Sequence, residues 1–413
     1  MTDMRPYALN IAQFSPEFQL ACACCGAQRP ESDQGTVERL LAIIDVPAFL
    51  ELVITRHRIG PLVHARLKRL HASLLPPGLI APLAAEARHN ALKAMQGLRT
   101  LLLFERWFGE AGIPWLTFKG CTTGLRYYGD AGQRHVNDHD VWVSPAQLDE
   151  ARAVLSAHGL KWDPEETCWD LAERGPLHRR FLERHQFEET HRSAEHGKVE
   201  LHWQLSDNPH LFRLQPEQLL LEGERLAAGD ATLPVMNSVD LLLYICEHGG
   251  RHGWYRLKWL ADLPRILDHC AWDWPAVLRR AEQAGCTRSL LLALALARDL
   301  FGWTIPAALT RHLRPLLAQR LLSRTVAIAL GAPGVWWSEA YALPLRWHVS
   351  WTLSRLLLMG SWRAGVDVLW RISLNPHDLR VLALPDRLFP LYRLLRPLLR
   401  GVRRWRGARS TGS

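Results

Sequence analysis

The chain has 413 residues, 48% of them apolar, with 50 Lys and Arg against 41 Asp and Glu and a formal net charge of +9. That is enough apolar sequence for two or three compact units, and too much for a disordered chain. No run approaches the roughly 20 apolar residues of a membrane span, since the best, Ser289 to Ala297, is closed by Arg288 and Arg298. The start Met1-Thr-Asp-Met-Arg-Pro6 lacks the charged-then-apolar pattern of a signal peptide, so the chain reads as cytoplasmic.

In chain order, Cys22-Ala-Cys24-Cys25 comes first. Its spacing is not that of a zinc ribbon, and Cys121, Cys168, Cys246, Cys270 and Cys286 are scattered through apolar sequence, so the eight cysteines read as reduced core thiols. Residues 35–109 show helical periodicity, as in Val37-Glu-Arg-Leu-Leu-Ala-Ile-Ile44 and Ala84 to Met95. Next, the apolar run Trp115-Leu-Thr-Phe118 ends on Lys119-Gly120-Cys121. A glycine there lets backbone N–H groups approach a phosphate, with Lys119 as counter-charge.

Asp138 and Asp140 follow in Asp138-His-Asp140-Val-Trp-Val143. On a strand, positions i and i+2 share a face, so the two carboxylates project together while His139, Val141 and Val143 turn away. Held this close, they repel each other unless a cation intervenes, and Mg²⁺ suits oxygen ligands that face a substrate phosphate. Replacing either by Asn would relieve that repulsion and leave a fold as stable or more so. Ser144-Pro145 marks a helix start. His185 to His191 and Lys198 to Leu205 read as two strands joined by the turn 192–197. In the second, Val199, Leu201 and Trp203 share one face, leaving Glu200 and His202 on the other. An acid on such a strand needs a partner, and the two aspartates around a metal would provide it.

After Pro216 the pattern is helical again, with breaks at Pro234, Pro264, Pro306, Pro333 and Pro344. Within the helix that begins at Val239, His248 and His252 lie four apart on one face. Zinc is disfavoured because Gly249, Gly250 and Arg251 intervene where a metalloprotease helix carries glutamate. A helix facing a cleft, with His252 or Lys258 near the substrate, is a better reading than zinc, and a purely structural role is better still. From Arg387 to Ser413 there are eight arginines and no acid, which leaves +1 for everything before. The high pI therefore does not point to nucleic acid as a partner. The leucine- and arginine-rich tail could instead lie on an anionic membrane, or end the fold as a packed helix.

Taken together, Lys119-Gly120, Tyr128-Gly129, Arg134, Asp138 with Asp140, Glu200-Leu-His-Trp203 and Glu247-His248 to Asp262 resemble the uncharacterised nucleotidyltransferases of the nucleotidyltransferase superfamily. The resemblance spans about residues 40–400. Two positions depart from it: Cys121 stands where Gly or Ser follows the loop glycine, and His139 where an aliphatic residue separates the aspartates. It implies an α+β fold with a small mixed sheet: helices over residues 1–110, a nucleotidyltransferase core over 111–205, a helical domain over 206–386, and the basic tail 387–413. It further implies transfer of a nucleoside monophosphate from a nucleoside triphosphate such as ATP to a hydroxyl-bearing small molecule, peptide or protein, in a biosynthetic cluster for example. Asp138, Asp140 and Glu200 would be the catalytic acids and hold two Mg²⁺ ions. Lys119, Gly120, Cys121, Arg134, His252 and Lys258 would bind the nucleotide. The rival from another class is a scaffold that keeps the fold without catalysis and attaches to membrane through its tail.

Overall fold

A computed structural model describes residues 9–26, 34–163, 175–206, 212–313, 345–359, 362–374 and 378–410, with 321, 323, 326, 327, 330 and 331 between them. Its centre is one mixed sheet in the order β3-β4-β5-β2-β1-β7-β6, with β3 (Lys161–Trp162) at one edge, packed among helices in the expected α+β arrangement.

The site-bearing strands are β1 (Trp115–Thr117), β2 (His139–Val143), β4 (Glu188–Ser193) and β5 (Gly197–His202). β2 runs antiparallel to β1 and parallel to β5, and its register pairs Asp140 with Glu200 and Trp142 with His202. Alternation does the rest. Val141, Val143, Val199 and Leu201 point into an apolar layer beneath the long helix Ile80–Glu110, which supplies Ala94, Leu101, Phe104 and Phe108 at helical spacing. Trp142 belongs to a second, larger core with Phe118, Tyr244, Leu242 and Trp254, shared by the N-terminal and C-terminal helical regions. The sheet thus separates two cores, and the acids lie on the second face.

Four boundaries differ from the sequence reading. His185 ends the helix Pro176–His185, so β4 starts only at Glu188. β6 (Glu224–Ala228) and β7 (Ala231–Val235) form a hairpin inside the stretch read as helical after Pro216, and β7 pairs in parallel with β1. The overlooked signal is Gly229-Asp230 between Leu226 and Leu233, a two-residue turn in which Gly229 takes φ +67°. Pro264 does not break a helix but sits buried inside Leu257–His269, where tertiary packing outweighs the lost hydrogen bond. Pro333 and Pro344 lie outside the described residues. The helix expected after Ser144-Pro145 is present as a short 3-10 turn leading into Leu148–Ala157, and the Ser144 hydroxyl accepts from the Ala146 N–H.

The basic tail forms the helix Leu391–Ser410. One face packs: Tyr392, Leu395 and Leu399 join Phe181, Leu182 and Phe389, and Asp386 accepts from the Leu177 and His178 N–H groups at the start of Pro176–His185. Cys22, Cys24, Cys25, Cys121, Cys246, Cys270 and Cys286 are free, while Cys168 lies outside the described residues. Among the described residues no helix is long and apolar enough to cross a membrane.

Candidate active site

β1 leads through Phe118 and Lys119 to Gly120, which caps the helix Cys121–Tyr128 with φ +77° and no side-chain cap. A Cβ on Gly120 would also meet the Asp138 carbonyl at 3.3 Å, so both the backbone angle and the space require glycine. The first-turn N–H groups of this helix have no intrahelical acceptor, which makes its start suited to an anion. Cys121 contributes only backbone to this arrangement. Its thiol is buried in the apolar layer under the long helix, and burial pushes it up to about 12.

Asp140 is fully buried. Its Oδ1 receives Lys119 Nζ at 2.7 Å and His202 Nε2 at 2.9 Å, whereas its Oδ2 is buried without any hydrogen bond. Burial pushes the carboxyl up, but Lys119 and His202 outweigh burial and the repulsion of Asp138, holding it below its ordinary value. The same exchange holds Lys119 well above its ordinary value, because Asp140 offsets the cost of burying the ammonium. Glu200 bonds Lys198 at 2.8 Å, and His202 also stands 3.1 Å from Glu188. Asp140, Glu200 and His202 offer ligand atoms that all lie within 4.8 Å of one another. Two carboxylates, one imidazole and an unbonded buried oxygen fit a divalent cation. Asp138, partly exposed just before β2, falls outside that set. Its carboxyl is pushed up by burial but held far below the usual range by Lys119, Lys258 and Lys198, so it faces the same centre.

Arg134 is placed differently from its expected role as a phosphate contact. Its guanidinium grips Asp262 through Nε and Nη2, both at 2.9 Å, with Tyr128 donating to the same carboxylate at 2.6 Å and Nη1 3.5 Å from the Gly120 carbonyl. With its fork occupied, it braces the glycine loop against the helix Leu257–His269. Lys258, at the start of that helix, is partly exposed, and burial and Arg134 bring its amine down to about 7. His248 and His252 stand with ring centres 4.6 Å apart, and Trp259 lies 5.0 Å from the first. Tyr244 continues the row toward Lys119, 5.9 Å from its ring. No metal cluster includes these histidines among the described residues. His139 turns away from the acids, as alternation requires, and its ring fills the space over Gly97 of the long helix.

Sequence reasoning set His202 beside Glu200 but missed its grip on Asp140, and it missed Lys198, Glu188 and Tyr244. Strand period could supply the first; cross-strand partners and the helix behind Lys119 carry no local signal.

Glu200 supports a pH prediction. Burial first, and then Asp138, Glu188 and Asp140, raise its carboxyl well above the ordinary 4.5. The folded state therefore holds this proton more tightly than the unfolded chain, and that contribution to stability is lost as pH rises. Without added divalent metal, wild type should lose stability relative to Glu200→Gln between about pH 5 and 7, by up to about 1.4 kcal/mol per unit. His57, His135, His139 and His248, all pushed down chiefly by burial, act with the opposite sign in both proteins and cancel in the difference. Urea unfolding across this range measures it; a flat difference would count against the placement of Glu200.

The family described as uncharacterised nucleotidyltransferase matches residues 44–302, more than half of the chain. No curated protein matches.

Proposed function

The chain belongs to the uncharacterised nucleotidyltransferase family, and from that membership we propose a divalent-metal-dependent enzyme that moves a nucleoside monophosphate from a nucleoside triphosphate to a hydroxyl acceptor. The observation that carries the reading is the parallel pairing of Asp140 with Glu200 beside the Gly120 loop, with a buried carboxylate oxygen left unbonded. A scaffold would gain nothing from acids buried at such cost.

Asp138, Asp140 and Glu200, with His202, would hold Mg²⁺, which when bound supplies charge neutralisation at the phosphates. The N–H groups that follow Gly120 and the Lys119 ammonium orient the α-phosphate. His252 and Trp259 offer ring faces to the nucleobase. The acceptor oxygen bonds to the α-phosphorus as the bond to pyrophosphate breaks, and the hydroxyl proton passes to Glu200. Arg134 keeps the loop in place. The test is incubation with each of the four triphosphates, labelled in turn at the α- and γ-phosphate, together with cell lysate. Transfer of α-label to a small molecule, peptide or protein is expected; transfer of γ-label, or of none, would overturn the reading.

We further infer peripheral contact with an anionic membrane. Beside its packed face, the tail helix exposes Leu391, Leu394 and Leu398, the last two 76% and 68% exposed, and Trp362, Val366 and Leu369 form a similar stripe on Trp362–Ile372. The eight arginines of 387–413 supply matching charge. Because Tyr392 and Leu399 pack into the fold, truncation would confuse binding with unfolding. Leu394→Glu with Leu398→Glu in the full chain should instead weaken binding to phosphatidylserine vesicles by about tenfold or more. Undiminished binding removes the membrane contact.

A further inference from the structure

Next to Asp138 the structure gathers more positive charge than the site acids use. Asp140 has Lys119, Glu200 has Lys198, and Asp262 has Arg134. Three further cations come from two distant segments. The π-helix Glu51–Arg56 runs into Arg58, and His57, fully buried, accepts the Leu257 N–H at 3.2 Å. That bond fastens the segment to Arg256 and Lys258 at the start of Leu257–His269.

The joint is strained on both sides. Among the described residues, Arg58 at φ 54° and Trp254 at φ 53° are the non-glycine residues with positive φ. Such backbone persists where surrounding structure enforces it, and it concentrates at ligand sites. Arg256 is only 6% exposed, and its Nε is buried without a hydrogen bond. Asp138 faces Arg134, Arg256 and Arg58 around the Lys258 amine, Glu86 and Tyr255 also lie by Arg58, and Arg134 already serves Asp262. With Arg256 buried and Arg58 and Lys258 half-buried, these like charges on converging segments repel one another unless an anion completes the set.

We propose that Arg58, Arg256 and Lys258 form the subsite for the β- and γ-phosphates of the triphosphate, so that the N-terminal helical region completes the active site through Arg58. The inference rests on the nucleotidyl-transfer reading. It adds that the departing pyrophosphate is received by this cluster. As the bond to the α-phosphorus breaks, negative charge grows on the bridging oxygen, and guanidinium forks match phosphate oxygens.

The test uses the full chain with Mg²⁺ and three probes by calorimetry: inorganic tripolyphosphate, a nucleoside triphosphate, and its monophosphate. Arg58→Gln should weaken the first two by about tenfold, which is about 1.4 kcal/mol. The monophosphate should be bound as by wild type, and Arg58→Lys should restore most of the loss. In wild type, tripolyphosphate should also protect Arg58 from phenylglyoxal where the monophosphate does not, a readout that requires no folded variant. Unchanged tripolyphosphate binding by Arg58→Gln, or equal modification with and without tripolyphosphate, overturns the subsite. Wild type that binds tripolyphosphate through Arg58 but transfers no nucleotide would keep the subsite and sink the transferase reading; transfer untouched by Arg58→Gln would do the reverse.

Discussion

Asp140→Asn should lower α-label transfer by about a thousandfold, because it removes the one buried acid that combines a fixed oxygen with an unbonded one at the centre of the ligand set. The same variant should lose stability, by about 3 kcal/mol. From sequence, neutralising either aspartate should relieve repulsion; the structure reverses that sign for Asp140. Lys119 lies 2.7 Å from its Oδ1, largely buried, and the substitution leaves the ammonium without its carboxylate. Asp138→Asn provides the contrast. Its carboxylate is partly exposed and has Asn137 as its hydrogen-bond partner at 3.3 Å, so activity should fall comparably with a smaller stability loss. Single-turnover transfer and urea unfolding on both variants decide the matter. Full activity in Asp140→Asn would refute the assignment of the acids, and unchanged stability would refute the ion pair.

Asp262→Ala should cost about 3–5 kcal/mol, because Arg134 would remain buried with its fork unpaired. The effect should not stop at stability. Arg134 also reaches the Gly120 carbonyl, and Tyr128 on the loop helix donates to Asp262, so the phosphate loop loses its brace. A double exchange, Arg134→Met with Asp262→Leu, separates the two consequences. Apolar partners of similar volume should recover most of the stability, while transfer stays low because the loop is no longer held. If the double variant regains transfer along with stability, the pair is only a structural tie.

The acids were legible because strand alternation is a strict local rule. Once residues 139–143 and 197–202 are strands, Asp140, Glu200 and His202 have one face to share, whatever surrounds them, whereas Asp138 lies just before β2. Arg134 was legible as important but not in role, since its partner Asp262 lies 128 residues away and nothing in either neighbourhood specifies the other. The Lys119–Asp140 pair was hidden for the same reason: both residues were singled out, but their attraction is a fact of β1 lying beside β2. The hairpin Glu224–Val235 was lost to a period error in a region dominated by helices. Tertiary neighbours, more than propensity, set the limit.

The fit between Gly97 and His139 bears on inheritance. A Cβ on Gly97 would lie 2.1 Å from the His139 ring, so neither residue can be chosen alone. A side chain added at position 97 meets the His139 ring, so this packing is kept only if both positions change together. The two positions, 42 apart in the chain, are therefore coupled through one contact, which ties the residue between Asp138 and Asp140 to the long helix.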